Sequence, residues 1–201
     1  MKSYMKTTLA VVLAAFGGSA WAQSAEFWFS GGQSLISGAG IGTDQPIGGT
    51  SKDVELTDGF RFALRGAFNT KPHSGFEVMY AYSRTQLKFN DAGGAEQGMA
   101  YHTVMLNYLL YATPEGSRIR PFGTGGVGFI NYVPPGSSAA SGGGSTKLGF
   151  SYGGGVKVKV TGMWAVRFDV RQYATPKPFD LALKSGWIRP TEVSAGVGIE
   201  F

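Results

Sequence analysis

The chain has 201 residues, no cysteine and a formal net charge of +5. Glycine is frequent, at 32 residues, and charged residues make up only 15% of the chain, whereas about 25% is typical of soluble proteins. An aromatic content of 13% argues against disorder, and the lack of cysteine excludes disulfide frameworks and Cys-ligated metal sites. The length suggests one domain or two small ones, and the composition favours β-structure beside a membrane.

Residues 1–22 have the layout of a secretory signal peptide. Lys2 and Lys6 precede an apolar run over 7–16, and Ala20-Trp21-Ala22 forms a small-residue cleavage pattern. A membrane anchor is the alternative, but the run is shorter than the roughly 20 residues that cross a bilayer. We therefore predict cleavage after Ala22 and a β-barrel domain over 23–201. Part of the positive charge belongs to this leader, and no cluster of Lys and Arg indicates nucleic-acid binding.

The rest of the chain alternates between apolar and small or polar residues, which is typical of β-strands. Eight predicted strands lie within residues 26–35, 60–68, 76–83, 103–111, 120–132, 148–160, 164–171 and 193–201. The first is less regular than the others. The fifth is ambiguous, because either Val127 and Phe129 or Phe122, Ile130 and Tyr132 could face outwards.

Three observations favour a barrel whose apolar face meets lipid. The polar face is mostly small residues, which suit the narrow interior of eight strands. Long connections (37–58, 90–98, 134–147, 174–190) alternate with short ones (70–74, 113–117, 161–163), as in outer-membrane barrels. Aromatic residues fall near both predicted interfaces: Phe68, Phe76, Tyr108, Trp164 and Phe201 on one side, and Phe60, Tyr82 and Phe150 on the other. A lipocalin-like soluble barrel is the alternative. We predict an all-β, closed, eight-stranded antiparallel up-and-down transmembrane β-barrel.

Nine charged side chains fall on the inward face by alternation. They are Arg61, Arg65, Glu77, Lys157, Lys159, Arg167, Asp169, Arg171 and Glu200. Charges in a narrow space of low dielectric must pair or accept hydrogen bonds, so Glu77, Asp169 and Glu200 are the expected partners of the bases. The favoured interpretation is a structural plug of salt bridges, and the other is a narrow, anion-preferring pore.

With these strands in place, the sequence resembles the small eight-stranded outer-membrane proteins, the OmpA/OmpX-like β-barrel family. The resemblance is carried by residues 120–128, by 153–157 leading into 164–171, and by the terminal strand ending in Phe201. It implies insertion in the outer membrane, contact with outer-membrane lipid and lipopolysaccharide, and recognition of the terminal strand, with Phe201, by the barrel-assembly machinery. Roles in this family range from anchors and adhesins to a few lipid-modifying enzymes, so the resemblance indicates location better than role.

Two motifs resemble a nucleotide-binding site and a catalytic site, but their positions in the sequence argue against both functions. Gly123, Gly125 and Gly128 match a nucleotide-binding fingerprint, but a strand follows where that fingerprint needs a helix. Lipid A deacylases of this architecture use a Ser–His pair near the outer rim, whereas His73 and Ser74 lie at a short turn on the opposite side. His102 has no evident Ser or acidic partner, and two distant histidines do not make a metal site. We therefore expect no catalytic residue, cofactor or metal.

The sequence predicts a non-enzymatic outer-membrane barrel that anchors surface-exposed loops in a structural or adhesion-type role. Passage of small solutes through a narrow pore and modification of lipid A are the two alternatives. Residues 43–46 and 177–180 are exposed candidates for contact with a ligand, and 137–145 form a loop of Gly, Ser and Ala. Nothing in the sequence identifies the ligand of these loops.

Overall fold

The computed structural model describes residues 24–36, 39–44, 52–90, 96–137, 144–178 and 186–201. The predicted signal peptide lies outside these residues. The strands are β1 (Ser24–Leu35), β2 (Ala39–Asp44), β3 (Lys52–Leu56), β4 (Gly59–Lys71), β5 (Ser74–Asn90), β6 (Glu96–Tyr111), β7 (Ile119–Val133), β8 (Ser145–Thr161), β9 (Trp164–Pro176), β10 (Trp187–Ile188) and β11 (Thr191–Glu200). None of the described residues forms a helix long and apolar enough to cross a membrane.

Eight of these strands form a closed barrel, which confirms the predicted fold. Each pairs antiparallel with the next along the chain, in the order β1, β4, β5, β6, β7, β8, β9 and β11. The barrel closes where β11 pairs with β1, from Glu26 opposite Glu200 to Leu35 opposite Thr191. Closure pairs every barrel strand on both sides and so removes exposed sheet edges from the wall.

The two ends of the barrel differ. At one end, here called the turn end, strands are joined by the short connections 72–73, 112–118 and 162–163. Both chain termini of the barrel lie there too, since the Phe201 N–H donates to the Ala25 carbonyl at 2.8 Å. The opposite end, the loop end, carries the long connections, which include the β2–β3 hairpin and the short strand β10. The alternation of long and short connections follows the prediction.

Strands β5 and β6 continue well beyond their predicted limits and pair as far as Lys88 opposite Glu96. In this extension Thr85 and Leu87 are buried, while Arg84 and Gln86 face outwards. The inward period of two continues, but the outward residues become polar. The predicted limits depended on apolar outward residues. Each predicted strand therefore stops where those residues stop, although the backbone pairing continues.

The outward face of the wall is apolar and exposed over the middle of every barrel strand. On β7 the structure resolves the ambiguity: Val127 and Phe129 face outwards, whereas Phe122, Ile130 and Tyr132 are buried inside. Neighbouring aromatic rings lie against one another on this surface, as with Phe76 and Tyr108, whose ring centroids are 5.2 Å apart. Such a surface would be unstable in water but suits a lipid environment.

Candidate functional site

The structure places seven of the nine predicted interior charges in the lumen. They are Arg61, Arg65, Glu77, Lys157, Arg167, Asp169 and Arg171. The other two, Lys159 and Glu200, form an ion pair of 3.2 Å at the turn end, with side chains 36% and 19% exposed. Water reaches this pair, so Glu200 is not a partner of the buried bases as the sequence had suggested.

Two arginines share one carboxylate nearest the loop end, and we call this group the loop-end tier. Arg61 Nε lies 2.9 Å from Glu192 Oε2, and Arg65 Nη2 lies 2.8 Å from Glu192 Oε1. The Tyr173 hydroxyl donates to the same carboxylate at 2.5 Å. Arg61 also stacks over the Tyr173 ring, 4.6 Å from its centroid, and Arg65 donates to the Ser30 hydroxyl. The tier thus contains two cations and one anion.

The middle tier is a balanced square of two arginines and two carboxylates. Arg167 contacts Asp169 through both Nε and Nη2, at 2.7 and 2.9 Å, and reaches Glu77 at 2.6 Å. Arg171 lies 2.9 Å from Glu77 and 3.1 Å from Asp169. Asn107 donates a further hydrogen bond to Glu77 at 3.2 Å. Bidentate, fully buried pairing of this kind fixes both charge and geometry in a space of low dielectric.

The turn-end tier surrounds one carboxylate with two cations and three aromatic rings. Lys157 donates to Glu26 and, at 2.6 Å, to the Tyr111 hydroxyl. Arg120 lies 3.6 Å from Glu26 and stacks on the Tyr111 ring at 3.8 Å. The Trp28 indole N–H donates to Glu26 at 2.7 Å. Aromatic faces attract cations, so these rings help to hold the lysine and the arginine inside the wall.

Three of these charges were missed by the sequence analysis: Glu26, Arg120 and Glu192. Glu26 and Arg120 stand on the two strands whose alternation was irregular or ambiguous, and Glu192 precedes the apolar run of β11. A usable signal existed for Glu192, because Ser194 and Gly196 continue its small, inward face. On β1, Trp28 is large but faces inwards, and this breaks the expected alternation of small inward and large outward residues.

Inward glycines give the large inward side chains their space. A Cβ atom on Gly198 would lie 2.4 Å from the Trp28 ring, and one on Gly155 would lie 2.1 Å from the Phe168 carbonyl oxygen and 2.8 Å from the Phe122 ring. These residues face one another across paired or nearby strands, so a large residue at one position requires glycine at the other. The glycine content noted in the sequence therefore belongs in part to lumen packing.

Apolar and tyrosine side chains pack around the loop-end tier and from there towards the loop end, and we call this cluster the cap. Its buried members are Ile36, Leu56, Ala63, Met79, Ala81, Leu87, Met99, Tyr101, Met105, Ile130, Tyr132, Tyr173 and Ile188. The Tyr101 hydroxyl hydrogen-bonds the Ser34 hydroxyl at 2.5 Å, across the lumen from β6 to β1. The side chains of the three tiers and the cap occupy the lumen from the turn end to the loop end.

The two histidines do not form a catalytic arrangement. His73 Nδ1 lies 3.1 Å from the Tyr111 carbonyl at the turn end. His102 faces outwards near the loop end, where its Nδ1 lies 2.8 Å from the Tyr80 hydroxyl and its ring packs beside Tyr82. Neither contact pairs a histidine with a serine nucleophile. Within the described part of the chain, no cluster of His, Asp and Glu side chains is arranged to hold a metal ion.

Comparison with known proteins agrees with this architecture. The family described as outer membrane protein beta-barrel domain matches residues 8–201. Among the curated proteins, none matches the chain. Among solved structures, the chain is similar to the outer membrane protein OprG from Pseudomonas aeruginosa, at 12% identity and a TM-score of 0.61, over 90% of this chain and 96% of that chain.

Two further structures share the fold. Neisserial surface protein A (NspA) is 15% identical with a TM-score of 0.57, over 89% of this chain and 97% of that chain. The N-terminal β-barrel domain of Pseudomonas aeruginosa OprF is 13% identical with a TM-score of 0.52, over 90% of this chain and 98% of that chain. These likenesses concern the fold, whereas the family match spans nearly the whole sequence. The chain belongs to the outer membrane protein beta-barrel domain family and is a protein of the outer membrane.

Proposed function

We propose that this protein is a non-enzymatic outer-membrane barrel that anchors surface-exposed loops in a structural or adhesion-type role. The observation that carries the proposal is the occupied lumen: side chains of the three charged tiers and the cap lie along the interior from the turn end to the loop end. A barrel whose interior is packed in this way is a rigid support for the loops. The long connections, all at one end, are then the part of the molecule available to the cell's surroundings.

In this proposal the turn end faces the periplasm and the loop end faces outwards. Cleavage of residues 1–22 would release the barrel domain into the periplasm. The barrel-assembly machinery would then recognise β11 and Phe201, whose side chain is exposed on the outward face of the wall. The outward-facing rings of Tyr82 and His102 would lie among outer-leaflet lipid and lipopolysaccharide.

Epitope insertion tests the orientation and the exposure of the loops. An epitope placed after Gly142, in a long connection, should be labelled by antibody on intact cells. The matched insertion after Gly116, in a short turn, should be labelled only after the outer membrane is permeabilised. Folding of both variants is checked by heat-modifiable migration in detergent gels. Labelling of the Gly116 variant on intact cells would reverse the orientation, and labelling of neither would remove the surface role.

The non-enzymatic part of the proposal rests on the surroundings of His73 and His102, which contact a carbonyl and a tyrosine rather than a serine. Mass spectra of lipid A from cells with and without the protein are expected to be the same. A deacylated or otherwise modified species that depends on the protein would identify a lipid A-modifying enzyme.

Passage of small solutes is a second candidate, favoured by the unequal charges of the lumen. Six buried cationic side chains face four buried carboxylates among the described residues. If the ion pairs of the middle tier separated, this excess would favour anions. Conduction requires the bidentate contacts of Arg167 and Asp169 to open, so a recording of single channels distinguishes a pore from a plug.

A further inference from the structure

The loop-end tier is not electrically neutral. Arg61 and Arg65 share the single carboxylate of Glu192, whereas the middle tier has two arginines for two carboxylates. All three side chains of the loop-end tier are almost completely buried. An unbalanced charge in a medium of low dielectric is costly, and side-chain packing alone does not offset it.

The same tier has more hydrogen-bond donors than acceptors. Arg61 donates through Nη1 to the Ser83 hydroxyl at 3.2 Å, and its guanidinium group also lies within hydrogen-bonding reach of the Tyr101 hydroxyl, while its buried Nη2 makes no well-aligned hydrogen bond among the described residues. The buried Nε of Arg65 makes none either. The Tyr132 hydroxyl has the Thr175 side chain as a hydrogen-bonding neighbour and lies near Arg61. The hydroxyl of Tyr132 belongs to the cap immediately above the tier. A water molecule would accept these hydrogen bonds, but it would leave the charge uncompensated.

We propose that the loop-end tier binds one small monovalent anion, with the chemistry of chloride, between Arg61 and the cap. One negative charge makes the tier neutral, whereas a divalent anion such as sulfate would overcompensate it. Guanidinium N–H groups and hydroxyls are the donors that a halide ion requires, and Arg61, Arg65 and Tyr132 supply them.

The turn-end tier does not offer an equivalent site. Arg120 and Lys157 also share one carboxylate, but both lie against aromatic rings, which compensate cations in part. In the loop-end tier only Arg61 has such a contact among the described residues, with the Tyr173 ring, and Arg65 has none. Arg120 also donates to the Pro72 carbonyl at 3.3 Å. The loop-end tier is in addition covered by apolar side chains of the cap, including Ile36, Leu87 and Ile188, so a bound anion would be shielded from bulk water.

Crystals of the full protein grown in sodium bromide test the proposal by anomalous diffraction. We expect an anomalous peak in the lumen beside Arg61. Reversible unfolding by urea, measured in lipid vesicles at equal ionic strength in chloride and in methanesulfonate, gives an independent reading. At a chloride concentration tenfold above the Kd, the equilibrium constant for unfolding should fall about elevenfold relative to methanesulfonate.

Arg61→Met removes the surplus cation and should abolish this difference between the two salts. Arg84→Met is the matched control, because Arg84 is an exposed cation on the outward face of β5, and it should keep the difference. If Arg61→Met does not fold, the bromide experiment on the natural sequence decides. A lumen without an anomalous peak, or identical unfolding of the natural sequence in the two salts, would overturn the proposal. Equal halide dependence in both variants would overturn it as well.

Discussion

The two faces of the barrel wall belong to the same strands, but the inward face carries the charged residues and the outward face carries the apolar ones. On β9, Asp169 is buried within the middle tier, while its neighbours Phe168 and Val170 are exposed on the outward face. In a soluble protein the charged residue would face water and the apolar ones the core. Here lipid replaces water outside, and a network of paired charges replaces the apolar core inside. The hydrophobicity of a residue therefore indicates its face only once the surroundings of the fold are known.

The largest effect is expected where the inward face loses one member of the balanced tier. Asp169→Ala leaves Arg167 and Arg171 with only Glu77, so two guanidinium groups lose a buried partner. We expect the free energy of unfolding to fall by about 3–5 kcal/mol. Urea unfolding in lipid vesicles measures this loss. A change below about 1 kcal/mol would show that the tier is hydrated and screened, as surface pairs are.

A charge on the outward face should cost somewhat less. Leu106 is exposed midway along β6, and Leu106→Lys places an ammonium group against lipid. A loss of about 2–4 kcal/mol in vesicles is expected near the bilayer midplane. Gln86→Lys, on the extension of β5 beyond the apolar face, is the control and should be nearly neutral. Equal stability of the two variants would contradict the placement of the lipid boundary.

A single hydrogen bond in the loop-end tier is expected to contribute less again. Tyr173→Phe removes the hydroxyl that donates to Glu192 but keeps the ring on which Arg61 stacks. Because the acceptor is charged, the loss should be about 1.5–3 kcal/mol. The same urea titration measures it. Unchanged stability would mean that another donor replaces the tyrosine at this carboxylate.

The smallest effect is expected at the exposed edge of the lumen. Lys159→Ala breaks the pair with Glu200, which water reaches, so the loss should stay below about 1 kcal/mol. The comparison with Asp169→Ala is the informative one, since both substitutions remove one member of an ion pair. A cost for Lys159→Ala as large as that for Asp169→Ala would mean that depth in the lumen does not determine the energy of a pair.

Alternation predicted the strands and most of the inward charges, and the narrow interior, the connection lengths and the aromatic positions then predicted a lipid-facing barrel. The signal was strong on β8, β9 and β11 because lipid demands large apolar side chains outside and the narrow lumen demands small ones inside. It weakened on β1, where Trp28 is both large and inward, and on β7, where glycines occupy both faces. The predicted β5 ended too early, because its outward residues become polar from Arg84 onwards.

The pairing inside the lumen could not be read from the sequence. Glu26 and Lys157 are far apart along the chain, and only the closure of the barrel brings β1 and β8 to opposite sides of one narrow space. The shared carboxylate of Glu192 depends in the same way on where β4 and β11 lie around the wall. Alternation gives the face of a residue, whereas its partner follows from closure and strand stagger.

The central claim is that the lumen is a plug and that the barrel serves as an anchor. Single-channel recording of the purified protein in planar bilayers tests this most directly. The account predicts electrical silence for the natural sequence across a wide range of voltage. A steady conductance that changes when Arg167 or Lys157 is replaced by alanine would contradict it and establish a pore through the tiers.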